Sequence, residues 1–432
     1  MELTDEQNAV VTKIREWLDA GQSQWMTLAG YAGTGKTVVV AALAQEHVAV
    51  VLAPTGKAVN VLAKKGVSAQ TIHSWLYPQG PKETDDELEW PMPQPVVFAR
   101  LCIVDESSMV DRTRFNDLTA QRQRFLFVGD HGQLEPVGDD SGVMRDPALK
   151  LETIHRQAAG SPIIAFAHRL RVGEKVEPCT SAGLVVTKRS EQKHDPDWLL
   201  SFDQVIVGKN TTRNGLNRVM RHKLGKYGVL QCGDKVVCLM NRKSPPIVNG
   251  QCGTVGRVIS EDERTVTFDF LDDSGVLFPK VVAVRAQFGV PHTMKRPELS
   301  KIFPVVDVSA MTPDELLYAL QDAKPFGPRD REFRESILDR YDPDLGEGDR
   351  LSEKQIGWIE SIVSGRGRLP AQFDYSYALT AHKSQGSQWE RVLVIEESAS
   401  VWDQKRWSYT AATRAASHLT FVMQERPWPF QE

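Results

Sequence analysis

The residues best suited to chemistry lie in a glycine-rich segment near the start of the chain, residues 30–37, which reads Gly-Tyr-Ala-Gly-Thr-Gly-Lys-Thr. It fits the pattern G-x-x-x-x-G-K-[ST] between an apolar run at 25–29 and a helix-like run at 38–43. A strand, a glycine loop and a helix in this order form a phosphate cradle, because the loop N–H groups and the positive end of the helix face the anion. We expect Lys36 to reach the β- and γ-phosphates and the Thr37 hydroxyl to bind Mg²⁺. The residues expected to hold the cofactors ATP and Mg²⁺ here are Gly30, Gly33, Thr34, Gly35, Lys36 and Thr37.

Two acidic residues, Asp105 and Glu106, follow a second apolar run at 101–104. Such a pair suits a nucleotide hydrolase: Asp105 would hold Mg²⁺, and Glu106 would orient and deprotonate the attacking water. Gln133 follows a third apolar run at 125–129, and its amide could contact both the γ-phosphate and the water. A polar turn is the alternative for Gln133. At this distance after a phosphate cradle, the acidic pair predicts hydrolysis of the nucleotide.

The bulk composition describes an ordinary soluble protein of 432 residues, with 41% hydrophobic residues, 25% charged residues and a net charge of −4. Five cysteines without a C-x-x-C pair argue against a disulfide framework or a zinc ribbon. No apolar run reaches the roughly 18 residues of a membrane span, and the acidic N-terminal residues differ from a signal peptide. We therefore expect a cytoplasmic protein with no membrane partner. The charge excludes a globally basic nucleic-acid coat but not a local basic channel.

Short apolar runs recur between helix-like stretches, as the buried strands of parallel sheets do. These runs are 48–53, 101–105, 125–129, 204–207, 392–395 and 419–423. They fall into one group before residue 150 and another after residue 200. Alternation with helices implies βαβ units, so we predict two α/β layers rather than one large sheet.

Three segments interrupt this pattern. Residues 77–98 contain five prolines and an acidic cluster, which predict a small protrusion, with a disordered acidic loop as the alternative. Residues 233–290 contain closely spaced strand-like runs without helices, which predict a small barrel. Residues 291–370 include two helix starts, at Thr312 and Ser352.

Taken in order, these motifs resemble those of superfamily 1 helicases, and within them the RecD/Dda-like branch, superfamily 1B. The cradle resembles motif I, residues 105–108 motif II and residues 129–136 motif III. The resemblance also implies that Gln7, in a segment similar to the Q motif, offers its amide to adenine. It covers most of the chain and is weakest over 77–98 and 291–370.

Two arginines gain a role from this resemblance. Arg156 is similar to the motif IV arginine, and Arg414, in Tyr-Thr-Ala-Ala-Thr-Arg-Ala, to that of motif VI. A guanidinium is permanently charged and bidentate toward phosphate, so an arginine from a second domain can act on the γ-phosphate when the cleft is shut. A surface ion pair is the alternative for each. Gly386, in the segment similar to motif V, is expected to contact the nucleotide.

The resemblance further implies a track for nucleic acid along segments similar to motifs Ia and V and to the strand-contacting motif at 71–76. Short hydrogen-bonding groups near strand ends can hold a phosphodiester backbone without reading bases. The candidates are Pro54, Thr55, Thr71, His73, Thr380, His382 and Ser384. A helix cap, a loop hydroxyl or a buried histidine is the alternative for each single residue.

The implied fold class is α/β, with two RecA-like P-loop motor domains, a small 1B protrusion and an SH3-like β-barrel 2B insertion. Domain 1A would comprise residues 1–76 and 98–156, domain 1B 77–97, domain 2A 157–232 and 371–432, and domain 2B 233–370. The protrusion would be the wedge that splits the duplex.

The implied activity is that of an ATP-dependent DNA helicase, a monomeric motor that travels 5′→3′ on single-stranded DNA and unwinds forked duplex DNA. Replication or recombination proteins would be its partners. Two alternatives stay open: a helicase for RNA or RNA–DNA hybrids, and an ATP-gated clamp or remodeller that binds nucleic acid without unwinding it.

Overall fold

The structure of the protein is a computed structural model that describes the chain in several ranges. The described residues are 3–46, 49–77, 82–83, 88–89, 99–136, 139–154, 161–191, 195–240, 247, 249–273, 275–290, 294, 298 and 370–424. Three predicted features lie outside these residues: Arg156, the helix starts at Thr312 and Ser352, and all of the protrusion except Tyr77 and two short strands. Within the described part, no helix is long and apolar enough to cross a membrane.

The N-terminal part is built on a six-stranded parallel sheet. Its region contains the strands β1 (Trp25–Gly30), β2 (Ala49–Ala53), β3 (Gln70–Thr71), β4 (Lys82–Glu83), β5 (Leu88–Glu89), β6 (Leu101–Val104), β7 (Phe125–Gly129) and β8 (Leu149–Leu151). The helices are α1 (Asp5–Ala20), α2 (Lys36–Glu46), α3 (Gly56–Lys64), α4 (Ile72–Leu76) and α5 (Arg112–Thr119). The sheet order is β3-β2-β6-β7-β1-β8, and β4 pairs separately with β5. Strands β6 and β7 are buried at every residue, as their unbroken apolar sequences predict.

The C-terminal part contains a second six-stranded sheet and a separate antiparallel sheet. The strands are β9 (Cys179–Ser181), β10 (Leu184–Lys188), β11 (Gln204–Val207), β12 (Lys235–Cys238), β13 (Cys252–Glu261), β14 (Thr265–Asp272), β15 (Leu277–Val284), β16 (Phe373–Tyr375), β17 (Ala378–Thr380), β18 (Trp389–Ile395) and β19 (Ala415–Met423). The helices are α6 (Pro162–Val172), α7 (Pro196–Leu200), α8 (Asn210–Lys223), α9 (Ala381–Ser384) and α10 (Gln404–Ala412). Single turns of 3₁₀ helix occur at Ser107–Met109, Arg189–Glu191 and Arg285–Gln287.

The second sheet has the order β17-β11-β18-β19-β10-β9 and is parallel except at the edge strand β9. All six apolar runs picked out from the sequence lie in one sheet or the other, so the prediction of two α/β layers is confirmed. The short strands β3, β8 and β17 were not predicted. With two or three residues each, they carry too little alternation or apolar length to be recognised.

The antiparallel sheet has the order β15-β14-β13-β12-β16 and closes on itself. Ala371, just before β16, donates to Val282 O at 2.7 Å and accepts from Val284 N at 2.8 Å, so the two edge strands meet. Phe268 and Phe270 each pack edge-on against Phe373, with ring centroids 5.3 and 5.2 Å apart. The small barrel predicted from strand spacing is thus present, while its likeness to an SH3 domain stays a prediction.

Helix α8 attaches the barrel to the second sheet through buried polar groups. The guanidinium of Arg213 is fully buried and pairs with Asp374 at 2.7 Å. The Asn217 side chain donates to Tyr375 O at 3.1 Å and accepts from Ala378 N at 2.7 Å. Because Asp374 and its neighbours belong to the strand that leads from the barrel into β17, these contacts set how the two sheets meet.

Replacing Asp374 by alanine is expected to lower the free energy of unfolding by about 3–5 kcal/mol, because Arg213 would keep a buried charge without its partner. Chemical denaturation followed by tryptophan fluorescence measures the change. The matched control is Glu174→Ala, which breaks an exposed pair with Arg169 and should have a far smaller effect. Equal effects of the two substitutions would contradict a structural role for the buried pair.

Candidate nucleotide cleft and nucleic-acid track

The predicted phosphate cradle joins the end of β1 to the start of α2. Gly33 and Gly35 have φ of 84° and 82°, the left-handed region that glycine adopts readily, and this turns the loop N–H groups inward. Lys36 Nζ donates to Gly30 O at 2.6 Å and to Tyr31 O at 3.0 Å, so the ammonium lies over its own loop. A phosphate bound here would take over these contacts.

The other candidate nucleotide contacts lie in the loop, at the start of α2 and in α1. The Thr34 side chain is fully buried, and its hydroxyl donates to Tyr31 O at 2.9 Å. The Thr37 hydroxyl accepts from Lys65 Nζ at 3.3 Å. Gln7 Nε2 approaches Thr34 O at 3.5 Å, while its side-chain oxygen accepts from Thr4 N in the cap of α1. Gln7 is therefore next to the cradle, but here both atoms of its amide bind protein groups.

The acidic pair lies directly beyond β6. Burial raises the pKa of the Asp105 carboxyl to about 6, with the charge of Glu106 acting in the same direction and Lys36 and Lys65 opposing it. Glu106 has φ 51° and ψ 38°, a left-handed conformation that is uncommon for a residue with a side chain and occurs at functional sites.

The donor set near the cradle fits Mg²⁺. The Thr37 hydroxyl and the Asp105 carboxyl are hard oxygen donors, and Lys65 lies close to both. Among the described residues, no cluster of three or more His, Cys, Asp or Glu side chains could hold a metal ion. Mg²⁺ is typically held by only a few protein ligands, and substrate phosphates supply further ligands.

Gln133 lies in a buried turn organised by Asp130. The Asp130 carboxylate accepts from Gly132 N at 2.9 Å and from the Tyr409 hydroxyl at 2.6 Å, and Gln133 Nε2 approaches it at 3.5 Å. The side-chain oxygen of Gln133 is buried without a hydrogen-bond partner among the described residues. Since buried polar atoms rarely stay unpaired, this oxygen is suited to bind a water or substrate group.

The same turn is bound by side chains from the second sheet. Leu134 N donates to the Thr410 hydroxyl at 2.9 Å, and Gln385 Nε2 donates to Leu134 O at 3.0 Å. Ala32 N in the cradle donates to the Tyr409 hydroxyl at 3.0 Å. Groups from α10 and the loop after α9 thus reach both the cradle and the Gln133 turn, so the site lies between the two parallel sheets.

Arg414 lies on the second wall of this cleft and is only 7% exposed. Its guanidinium donates to Thr410 O, Ser387 O and the Thr413 hydroxyl at 3.0–3.2 Å. Burial lowers the pKa of Arg414, whereas the charge of Glu106 raises it, so the two side chains lie within electrostatic range. Arg414 forms no salt bridge within the described part of the chain, which leaves its charge available to a phosphate. Arg156, the other arginine predicted to act on the γ-phosphate, lies outside the described part of the chain.

The residues predicted to contact nucleic acid lie in different local environments. Three of the hydroxyls cap helices: Thr55 accepts from Ala58 N at 3.2 Å, Thr71 from Ser74 N at 3.1 Å, and Thr380 from Lys383 N at 3.4 Å. Helix capping was the alternative stated for these three residues. A cap occupies the hydroxyl oxygen, but nearby backbone N–H groups can still contact nucleic acid.

The other four candidates differ in how far their side chains are buried and in what they contact. Ser384 is fully buried, and its hydroxyl donates to Ala381 O at 2.8 Å, which argues against the predicted contact by this side chain. His73 accepts from the Arg114 guanidinium at 3.2–3.3 Å. His382 is half-buried with its ring 6.4 Å from that of Trp402, and Pro54 is half-buried before α3.

A cleft of about 690 Å³ lies where the first sheet, the second sheet and the barrel meet. Lys57 of α3 reaches across it, with its ammonium 5.1 Å from the Trp389 ring centroid and 3.9 Å from Cys252 Sγ. Gly386 lines this cleft, and a Cβ on it would lie 3.8 Å from the Thr55 hydroxyl. This placement argues against the predicted nucleotide contact of Gly386 and favours the nucleic-acid track.

Lys57 and Trp389 were not predicted as site residues. Lys57 is in the segment similar to motif Ia, so its position was a usable signal. The sequence around Trp389 gave no signal for a site residue, because Lys57, which contacts its ring, lies far away in the chain on α3.

Comparisons with known proteins agree with this geometry. The family model for the AAA domain matches residues 2–187, and that for the UvrD-like helicase C-terminal domain matches residues 375–422. The ATP-dependent RecD2 DNA helicase of Deinococcus radiodurans is 30% identical over 346 residues, covering 71% of this chain and 45% of that protein. A probable conjugal transfer protein TraA of Sinorhizobium fredii is 25% identical over 308 residues, covering 60% of this chain and 26% of its own length. The chain spans less than half the length of these curated relatives.

Solved structures share the fold. Pif1 helicase at forked double-stranded DNA has a TM-score of 0.51 at 16% identity, and 98% of this chain and 92% of that chain are covered. A Bacteroides Pif1 bound to single-stranded DNA has a TM-score of 0.50 at 17% identity, with the same coverage of 98% and 92%.

Proposed function

The chain belongs to the RecD/Pif1-like helicases of superfamily 1B, and from this premise we propose that it is an ATP-dependent DNA helicase. It would travel along single-stranded DNA in the 5′→3′ direction and separate the duplex ahead of it. The Deinococcus radiodurans relative is itself named a DNA helicase. One of the two Pif1 structures concerns DNA unwinding at forked double-stranded DNA, and the other is bound to single-stranded DNA.

One observation carries the proposal: the turn that holds Gln133 follows β7 of the first sheet but is hydrogen-bonded by side chains from α10 and the loop after α9, on the side of the second sheet. Tyr409 donates to Asp130, Thr410 accepts from Leu134 N, and Gln385 donates to Leu134 O. A hydrolysis site with walls on two sheets links each turnover to their relative movement, because a change at the phosphate alters contacts on both walls.

The residues around the cleft would have different roles in ATP hydrolysis. Bound ATP with Mg²⁺ supplies the γ-phosphoryl group that water attacks. Lys36 would hold the β- and γ-phosphate charge, Glu106 would take the proton of the water and Gln133 would orient that water. Arg414, from the second wall, would stabilise the charge of the transition state once the cleft is shut.

The nucleic-acid track would run past the cleft that contains Lys57 and Trp389. In this proposal the first sheet belongs to domain 1A, the second to domain 2A and the barrel to domain 2B. A cation from α3 and an aromatic ring from β18 meet there, and such groups bind backbone phosphates and bases without sequence preference. Alternating grip by the two motor domains would turn one hydrolysis cycle into one step.

Replacing Lys36 by alanine is expected to lower the kcat of ATP hydrolysis by about 10²–10³-fold, because the cradle would lose the ammonium that lies over its loop and would face the γ-phosphate. A coupled-enzyme ATPase assay with saturating oligonucleotide measures this loss. The control is Lys13→Ala, an exposed lysine of α1. Full activity of the Lys36 variant would exclude the cradle as the hydrolysis site.

The proposed function is tested with labelled forks that carry either a 5′ or a 3′ single-stranded tail, with and without ATP. We expect strand separation only with ATP and only on the 5′-tailed fork. ATPase stimulation by oligo-dT and by oligo-U then compares DNA with RNA. Stronger stimulation by oligo-U would favour the RNA helicase, and ATP-dependent binding without strand separation would favour the clamp.

A further inference from the structure

Tyr31, the second residue of the phosphate cradle, packs against the second motor domain. It is half-buried and adjoins the apolar cluster built from α6, α10 and the neighbouring strands β10, β18 and β19. A cradle needs only backbone N–H groups at this position to bind phosphate. The aromatic side chain therefore serves some purpose other than a phosphate contact.

Three side chains of the second domain surround the Tyr31 ring. Arg171 of α6 places its guanidinium carbon 3.7 Å from the ring centroid. The rings of His168 and Tyr409 lie edge-on at 5.7 and 6.4 Å. On the first-domain side, the Tyr31 hydroxyl is hydrogen-bonded to His131 Nε2, with ring centroids 4.5 Å apart. The attraction between a cation and an aromatic ring is stronger when the ring face is partly shielded from water. The Tyr31 ring therefore binds Arg171 across the domain boundary.

Gly132 makes room for this arrangement. A Cβ on Gly132 would lie 2.5 Å from Arg171 Cδ and 3.3 Å from Tyr409 Cε1. The stem of Arg171 therefore runs over the backbone of the Gln133 turn on its way to Tyr31. Arg171 Nε is buried without a hydrogen-bond partner among the described residues, and the guanidinium lies against the face of the Tyr31 ring.

We propose that Tyr31, Arg171 and His131 form a latch that ties domain 2A to the phosphate cradle and transmits cleft closure to it. This inference rests on the proposed function. Tyr31 is covalently next to Ala32, whose N–H donates to the Tyr409 hydroxyl, and Tyr31 O accepts from Lys36 Nζ. A movement of α6 that pulls the ring thus shifts both the loop N–H groups and the lysine. Tyr31 and Arg171 act as positioning residues, because neither needs to touch the nucleotide.

The kinetic test compares Tyr31→Ala, Arg171→Ala and the double variant in the full chain. Each single variant should lower the DNA-stimulated kcat about tenfold, with the Kd of a fluorescent ATP analogue changed less than about twofold. The double variant should be no worse than either single one, since both remove the same contact. Tyr31→Phe keeps the ring and should keep most of the kcat. Additive losses, or a loss of nucleotide affinity at unchanged kcat, would overturn the latch; the second result would make Arg171 a nucleotide contact.

A second measurement separates the latch from the helicase proposal. Hydrogen exchange of the cradle, residues 30–37, is followed by mass spectrometry without nucleotide. Tyr31→Ala, Arg171→Ala and Gly132→Ala, which displaces Arg171 without removing it, should all exchange faster than the parent protein. The matched control is Arg169→Ala, an exposed arginine of the same helix that pairs with Glu174. Unchanged exchange in all three variants would reject the latch, whereas ATP hydrolysis indifferent to DNA in the parent protein would reject the helicase alone.

Discussion

Replacing Arg414 by alanine should lower the kcat of ATP hydrolysis by about 10³–10⁵-fold while the Kd of ATP changes far less. The guanidinium is held on the second wall of the cleft by Thr410 O, Ser387 O and the Thr413 hydroxyl. It is within electrostatic range of Glu106 on the first wall. Its charge would matter most when the cleft is shut and negative charge spreads over the transferred phosphoryl group, which is why turnover falls more than binding.

Steady-state kinetics and equilibrium titration with a fluorescent ATP analogue measure the two quantities separately. Arg414→Lys should recover little, because an ammonium lacks the planar, bidentate geometry of a guanidinium. Arg189→Ala, at an exposed position directly after β10 of the second sheet, is the control for loss of an arginine in general. A weaker Kd with unchanged kcat would contradict the role in the transition state and leave Arg414 as an ordinary binding residue.

Replacing Glu106 by glutamine should lower kcat by about 10²–10⁴-fold and leave nucleotide binding intact. Glutamine has the same size and can still orient a water, but it cannot accept the proton. The left-handed backbone at residue 106 is imposed by the turn that follows β6 and would direct either side chain alike.

Single-turnover hydrolysis with excess enzyme isolates the chemical step from product release and is the decisive measurement for Glu106→Gln. Glu16→Gln, on the exposed face of α1, is the matched control. Unaltered single-turnover rates would remove Glu106 as the base. Gln133, whose buried side-chain oxygen has no partner in the described part of the cleft, would then still orient the water, but another group would have to take its proton.

Much of the nucleotide site could be predicted because its determinants are local. The two left-handed glycines of the cradle, the lysine at the start of α2 and the acidic pair after β6 follow one another within short segments. In each segment a strand end, a glycine turn or a helix start sets the direction of the side chains. Buried strands such as β6 and β7 are equally local, since an unbroken apolar run of four or five residues is enough to indicate them.

The nucleic-acid candidates show where local reasoning reaches its limit. Thr55, Thr71 and Thr380 have the residue type of a backbone contact and of a helix cap, and the sequence alone could not choose between them. Ser384 is fully buried, and Gly386 lies beside Thr55. Each outcome depends on which face of a short element is covered by another sheet.

From the residues alone, the order of the motifs indicated the family by resemblance, and the pattern G-x-x-x-x-G-K-[ST] marked the candidate cradle. Apolar runs and strand spacing indicated the two α/β layers and the small barrel, because these signals act over a few neighbouring positions. Which groups meet across the cleft follows from the packing of the fold: Tyr409 contacts Asp130, Arg171 contacts Tyr31 and Lys57 contacts Trp389. The fold also supplied β16, whose pairing partner β12 lies more than a hundred residues earlier in the chain. Such contacts come from packing between distant segments, and packing leaves no periodic trace in either segment from which the partner could be inferred.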